Sequence, residues 1–137
     1  GNIVKSAEQV PENLYGFKAT PEVRSFGQLF GHIADANHAI CAVAAGEKGP
    51  GTSVEKTKTT KADLVAALNE SFAYCEKALA ATTDANGGEM RELFGMKMAR
   101  LAWLSFAVSH DFEHYGNIVT YLRLNKMVPP SSQGRGM

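Results

Sequence analysis

The sequence predicts an all-α protein, a single domain over residues 1–137 built as a four-helix bundle. Three observations carry that expectation. Long stretches place apolar residues at helical spacing, no run alternates with the two-residue period of a strand over a useful length, and the segments between are rich in Gly, Pro, Lys and Thr. At 137 residues the chain is long enough to bury a core without disulfide support. Four helical segments, the first of them short, then imply a bundle.

Residues 1–10, GNIVKSAEQV, read as the tail of a first helix that lacks its opening turns, and Pro11 ends it. The connection to Arg24 is restricted by Pro and Gly, with Leu14, Tyr15 and Phe17 available to pin it to the bundle end. A second helix spans about Ser25 to Ala45 and stops at Gly46. Its apolar arc includes Phe26, Leu29, Phe30, Ile33, Ile40 and Cys41, with His32 at the margin and His38 among the polar positions, where it is expected to be solvated. Residues 47–59 are polar and read as loop. Thr60 followed by Asp63 resembles a capping box with Asp in the usual Glu place, so a third helix starts there and runs to about Ala81. Its expected buried face is Leu64, Leu68, Phe72, Cys75 and Leu79. TTDANGG (82–88) is a turn, and EMRELFG a partly apolar lead into the last helix. The connections 11–24 and 46–60 are both long enough to cross the bundle.

The last helix, within LAWLSFAVSHDFEHYGNIVTYLRLNKMVPP (101–130), organises the rest. Trp103, Ala107, His110, His114, Asn117 and Tyr121 form one stripe at about 100° per residue. Leu104, Val108, Phe112, Tyr115, Val119 and Leu122 form a second, so the helix is expected to be mostly buried. Imidazoles four residues apart lie on one face and can serve a common metal ion. Spacing alone leaves open the plainer reading, a pair of core histidines hydrogen-bonded to neighbours. His32, inward on a second helix, favours the metal. His38 lies about 120° away from it and is not a ligand candidate. Asp35, three residues from His32, either orients an imidazole, acts as a base, or is a surface carboxylate. Tyr121 and Asn117 are candidates for lining a pocket, and Trp103 for core packing. Asp111 falls in the buried arc, where Arg100 or a backbone donor would have to partner it.

Composition narrows the function classes. Formal net charge is zero, so no basic field draws nucleic acid. No apolar run approaches the ~20 residues that span a bilayer, and no leader pattern precedes the first helix. Cys41 and Cys75 stand alone in separate helical patterns, which points to unpaired thiols in a reduced, cytoplasmic setting.

PEVRSFGQLFGHIADANHAICA (21–42) and HDFEHYGNIVTYLRLNKMVPPSS (110–132) together resemble the DinB-like (DinB/YfiT) family of metalloenzymes, a similarity that extends over essentially the whole chain. The resemblance implies an up-down-down-up four-helix bundle, commonly a homodimer. It also implies a three-histidine metal site with one ligand from the second helix and two from an H-x-x-x-H on the last. The matching positions are His32, His110 and His114. Zinc or nickel is the implied metal, with iron or manganese as alternatives. In some relatives the reaction transfers a low-molecular-weight thiol such as bacillithiol or mycothiol.

Three imidazoles without a fourth protein ligand leave coordination positions open, as in catalytic rather than structural zinc sites. An ion there would bring water or a thiol to its nucleophilic form at neutral pH. The expected function is therefore metal-dependent thiol transfer to, or hydrolysis of, a small molecule, with Asp35 and Tyr121 as candidates for proton handling. The alternative is a non-catalytic, stress-related bundle that binds metal or a small ligand.

Overall fold

The computed structural model describes residues 1–134. Five helices occur among them: α1 (Asn2–Gln9), α2 (Phe26–Ala45), α3 (Val54–Thr57), α4 (Lys61–Ala80) and α5 (Arg100–Leu124). A two-stranded antiparallel hairpin, β1 (Met90–Leu93) and β2 (Met96–Ala99), precedes α5.

α1, α2, α4 and α5 form the four-helix bundle, and residue pairings give its directions. Gly27 meets Leu64 while Cys41 meets Cys75, so α2 and α4 run parallel. Phe26 packs on Tyr121, while Ile40 and Cys41 share a cluster with Trp103, so α2 and α5 are antiparallel. Lys61 donates to the Glu8 and Val10 carbonyls at the end of α1, whose other end lies near Phe72, which makes α1 and α4 antiparallel. The order is up-down-down-up: the 46–60 connection crosses the bundle between parallel α2 and α4, whereas 11–24 joins antiparallel α1 and α2 at one end.

Local chemistry explains the boundaries. Ser25 and Gln28 form a reciprocal capping box at the start of α2, and Gly46, at φ 77°, ends it in the left-handed region. Thr60 accepts from the Asp63 amide, half of the expected box. The 11–24 connection is pinned as expected: Tyr15 is buried and donates to Ala7 O at 2.7 Å, and Phe17 stands edge-on to Tyr121.

The core has two layers. One gathers Phe26, Phe30, Leu64, Leu68, Ile118 and Leu122 with α1; the other gathers Ile40, Ala44, Trp103 and Leu104 near the opposite end. The histidines sit on α2 and α5 between these layers.

Several expectations are corrected. Residues 90–99 are a hairpin rather than a lead into helix. Phe94 and Gly95, both at positive φ, make its two-residue turn, and Trp103 Nε1 donates to Arg91 O at 3.1 Å to dock it. The 47–59 loop contains the helical turn α3. His38 is buried with its ring edge-on to Tyr74, not solvated, because α4 covers that side of α2. The second stripe of α5 is bare at Val108 and Phe112, which are 54% and 71% exposed, and Leu79 of α4 is exposed as well. The helix is half buried because the short α1 does not reach along this face. Arg100 bonds Thr82 and the Ala78 carbonyl, so it does not partner Asp111, which lies beside the Asn37 amide instead.

Cys41 and Cys75 are not free thiols; they form a disulfide that ties α2 to α4. The inference from unpaired cysteines to a reduced, cytoplasmic setting loses its premise. No described helix is long and apolar enough to cross a membrane. The disulfide closes a separation of 34 residues, a constraint on the unfolded chain worth about 4 kcal/mol. A thiol assay on unfolded, unreduced protein is expected to find no free cysteine. Reduction should lower the denaturation midpoint by a corresponding amount, and a midpoint indifferent to reductant would contradict the pairing.

Candidate metal centre

The antiparallel register of α2 and α5 sets His32 across from His110 and His114. His110 Nε2 lies 3.2 Å from His32 Nε2 and 3.0 Å from His114 Nε2. All three ligand atoms fall within 4.8 Å of one another. With metal–nitrogen bonds of 2.0–2.1 Å, two ligands of a tetrahedral ion stand about 3.3 Å apart. The spacing therefore fits a common ion after small ring adjustments. Hydrogen bonding among the rings alone satisfies them poorly. If His110 Nε2 carries a proton it has one to share between two neighbours; if it is bare, its Nδ1–H is buried without an acceptor. A cation would use all three lone pairs at once.

Two of the outer nitrogens are held for that arrangement, and the third, His110 Nδ1, is buried without a partner with or without an ion. His32 Nδ1 lies 3.4 Å from Glu55 Oε2, so an Nδ1–H facing the carboxylate leaves Nε2 bare. Asn117 lies 3.4 Å from His114 Nδ1, and with its amide oxygen turned to the ring it accepts the proton there. Glu55 was not singled out by the sequence, since it belongs to a polar stretch read as loop. The structure shows what brings it in. Asp35 accepts from the Val54 and Glu55 amides at 2.8 and 3.0 Å, capping α3 from another helix. At Gly31 a Cβ would stand 2.6 Å from Glu55 Cα, so only glycine lets α3 lie this close to α2. Arg24 Nε completes the chain by donating to Glu55 Oε1 at 2.8 Å. The pairing of Gly31, directly before His32, with Asp35 one turn further on was the available signal.

An open pocket of about 600 Å³ adjoins the centre and meets it at His114. His114, Asn117, Tyr121, Arg24, Lys18 and Glu55 are among its walls. Asn117 and Tyr121 thus line a pocket, as their stripe predicts. Tyr121 donates to the Arg24 carbonyl at 2.7 Å, and burial raises its phenol above the ordinary value, so it is a neutral donor rather than a base. Trp103 is wholly buried in the core. Asp35 stands behind the centre with both oxygens engaged by α3.

Burial is the main cause holding all three imidazoles below their ordinary value, and the Arg24 charge adds to it at each. His110 further depresses His32, His114 depresses His110, and His32 depresses His114. The rings are kept neutral, the form that ligates metal.

Two outcomes follow from this geometry. Asp35→Asn or Gly31→Ala should weaken transition-metal binding by roughly 10–100-fold, as loss of an orienting partner does elsewhere, with the bundle intact by circular dichroism. The second concerns pH in metal-free protein. Burial pushes the Asp111 carboxyl from 3.8 up to about 7, so the native state keeps a proton the unfolded chain has released, and stability falls as pH rises across that interval. The histidines act oppositely: with native values below 6.5, the unfolded chain takes up protons first, and stability falls as pH drops through 6.5. Thermal unfolding of Asp111→Asn should therefore show greater stability than wild type at neutral pH and an unmasked acid decline. Parallel profiles for the two proteins would contradict the Asp111 assignment, and the absence of an acid decline in the variant that of the histidines.

Comparison with known proteins agrees with this architecture. The family model described as the DinB superfamily matches residues 2–118. No curated protein matches the chain. Among solved structures, a DinB-like protein from Bacillus cereus superposes with a TM-score of 0.79 at 17% identity, covering 94% of this chain and 87% of the other. The DinB-like protein YjoA from Bacillus subtilis gives 0.73 at 22% identity, covering 92% and 85%. These likenesses concern the fold, and the family match, spanning most of the chain, makes this protein a member of the DinB superfamily.

Proposed function

We propose that the protein is a metal-dependent enzyme acting on a small molecule, by transfer of a low-molecular-weight thiol or by hydrolysis. The observation that carries this reading is the convergence of the His32, His110 and His114 Nε2 atoms, with His114 also in the wall of an open pocket. Three nitrogens hold an ion without closing its coordination, and a walled space adjoins the position left over. Zinc and nickel suit an all-imidazole set, and iron or manganese remain alternatives. Bound there, a divalent ion supplies Lewis acidity, enough to bring a thiol or water to its deprotonated form near neutral pH.

The chain's own residues do the rest. Glu55 orients His32 and, reaching the pocket wall, is placed to accept a proton from an incoming thiol or water. Tyr121, on the pocket's other side, would offer its phenolic hydrogen to a bound molecule only on releasing the Arg24 carbonyl. Asp35, with both oxygens on α3 amides, acts by positioning Glu55. A homodimer fits the same reading, since the bare side of α5 at Leu101, Val108 and Phe112 offers an apolar surface for a second copy.

Elemental analysis of untreated protein beside His114→Ala tests the proposal. Wild type should carry a divalent transition metal in stoichiometric amount, and the variant should lose affinity at least about tenfold. Metal-loaded wild type should then turn over in a panel of thiol acceptors and esters. Metal bound equally by both proteins would overturn the site. Stoichiometric metal with no turnover would favour a non-catalytic metal- or ligand-binding bundle.

A further inference from the structure

The pocket beside the three histidines is walled by charges that are not equally engaged. Glu55 is taken up by Arg24 and faces His32. Glu22, also in the wall, is exposed to solvent. The cations are freer. Arg24 uses Nε for Glu55, and its two terminal amino groups have no partner among the described residues. The Lys18 ammonium has none either. Arg24 is also fixed where it stands, because Tyr121 holds its carbonyl oxygen and Glu55 its Nε. Asn117, with an amide beside His114, shares the wall.

We propose that Arg24, assisted by Lys18, is a carboxylate-binding subsite, so that the small molecule entering this pocket carries a carboxylate close to the group presented to the histidines. The inference rests on the metal-centre reading above and adds the substrate's chemical class. A guanidinium with its terminal donors free and its Nε anchored offers the planar donor pair that carboxylates take, with little rotamer freedom left to lose. The anion would also offset the positive charge that a bound divalent ion adds to the pocket.

The test uses cobalt-loaded protein and three thiol probes of similar size: mercaptopropionate, propanethiol and cysteamine, which carry a carboxylate, no charge and an ammonium. Binding is read from the thiolate-to-cobalt charge-transfer absorbance at neutral pH. Mercaptopropionate is expected to bind at least about tenfold tighter than cysteamine, a difference of about 1.4 kcal/mol. Arg24→Gln should erase most of that preference and Arg24→Lys should restore part of it. Lys18→Gln, which leaves the Glu55 pairing intact, should reduce the preference without disturbing the cobalt spectrum of the free protein. Equal affinities for the three probes in wild type, or a preference unchanged in both glutamine variants, would overturn the subsite while leaving the metal centre standing. No charge-transfer band with any probe would overturn the metal–thiol reading, and the subsite with it.

Discussion

The structure depends on the register between two antiparallel helices. α2 brings one imidazole and α5 two, and their Nε2 atoms meet only if neither helix slides by as much as a turn, 5.4 Å. Both ends of the pair are locked by packing. Phe26, Phe30 and Tyr121 stack and cross at one end, and Trp103 fills the other against Ile40 and Cys41. The polar cluster sits between two apolar layers that fix its position. Without the metal it brings the cost of buried nitrogens lacking good partners, and the surrounding packing must offset that cost.

Much of this was legible in the residues. Helical spacing and caps located α2 and α4 to within a residue or two, because Ser25, Gly46 and Thr60 act locally and need no tertiary context. Spacing located the start of α5 but not its end at Leu124. The inward faces of His32, His110 and His114 follow from the same periodicity. What the sequence hid depended on distant contacts. The hairpin at 90–99 is too short for its pattern to register, its turn is Phe-Gly rather than Asn-Gly, and it is held by a tryptophan outside it. Glu55 is invisible until α3 is seen clasped by Asp35 and seated over Gly31. The disulfide depends on α2 and α4 being parallel neighbours, which spacing between cysteines does not reveal.

The bare side of α5 is the mirror of that success. The periodicity of Val108 and Phe112 is that of a core face, yet nothing among the described residues covers them. An apolar stripe states that a surface is suited to burial, and leaves unsaid which element buries it. Asp111 shows the same gap for a polar group: its place in an inward arc is readable, while its neighbour, the Asn37 amide on another helix, is not.

The crossover between the two parallel helices passes directly behind the centre, and the carboxylate that faces His32 comes from it rather than from the bundle. Framework and tuning are thereby decoupled: the rods that carry the ligands are under packing constraints along their buried faces, whereas a short surface segment tolerates exchange. Selection acting on that segment alone could reset ligand basicity and the pocket's charge with the scaffold unaltered. A fold arranged in this way is evolvable at its reactive point while remaining conservative everywhere else.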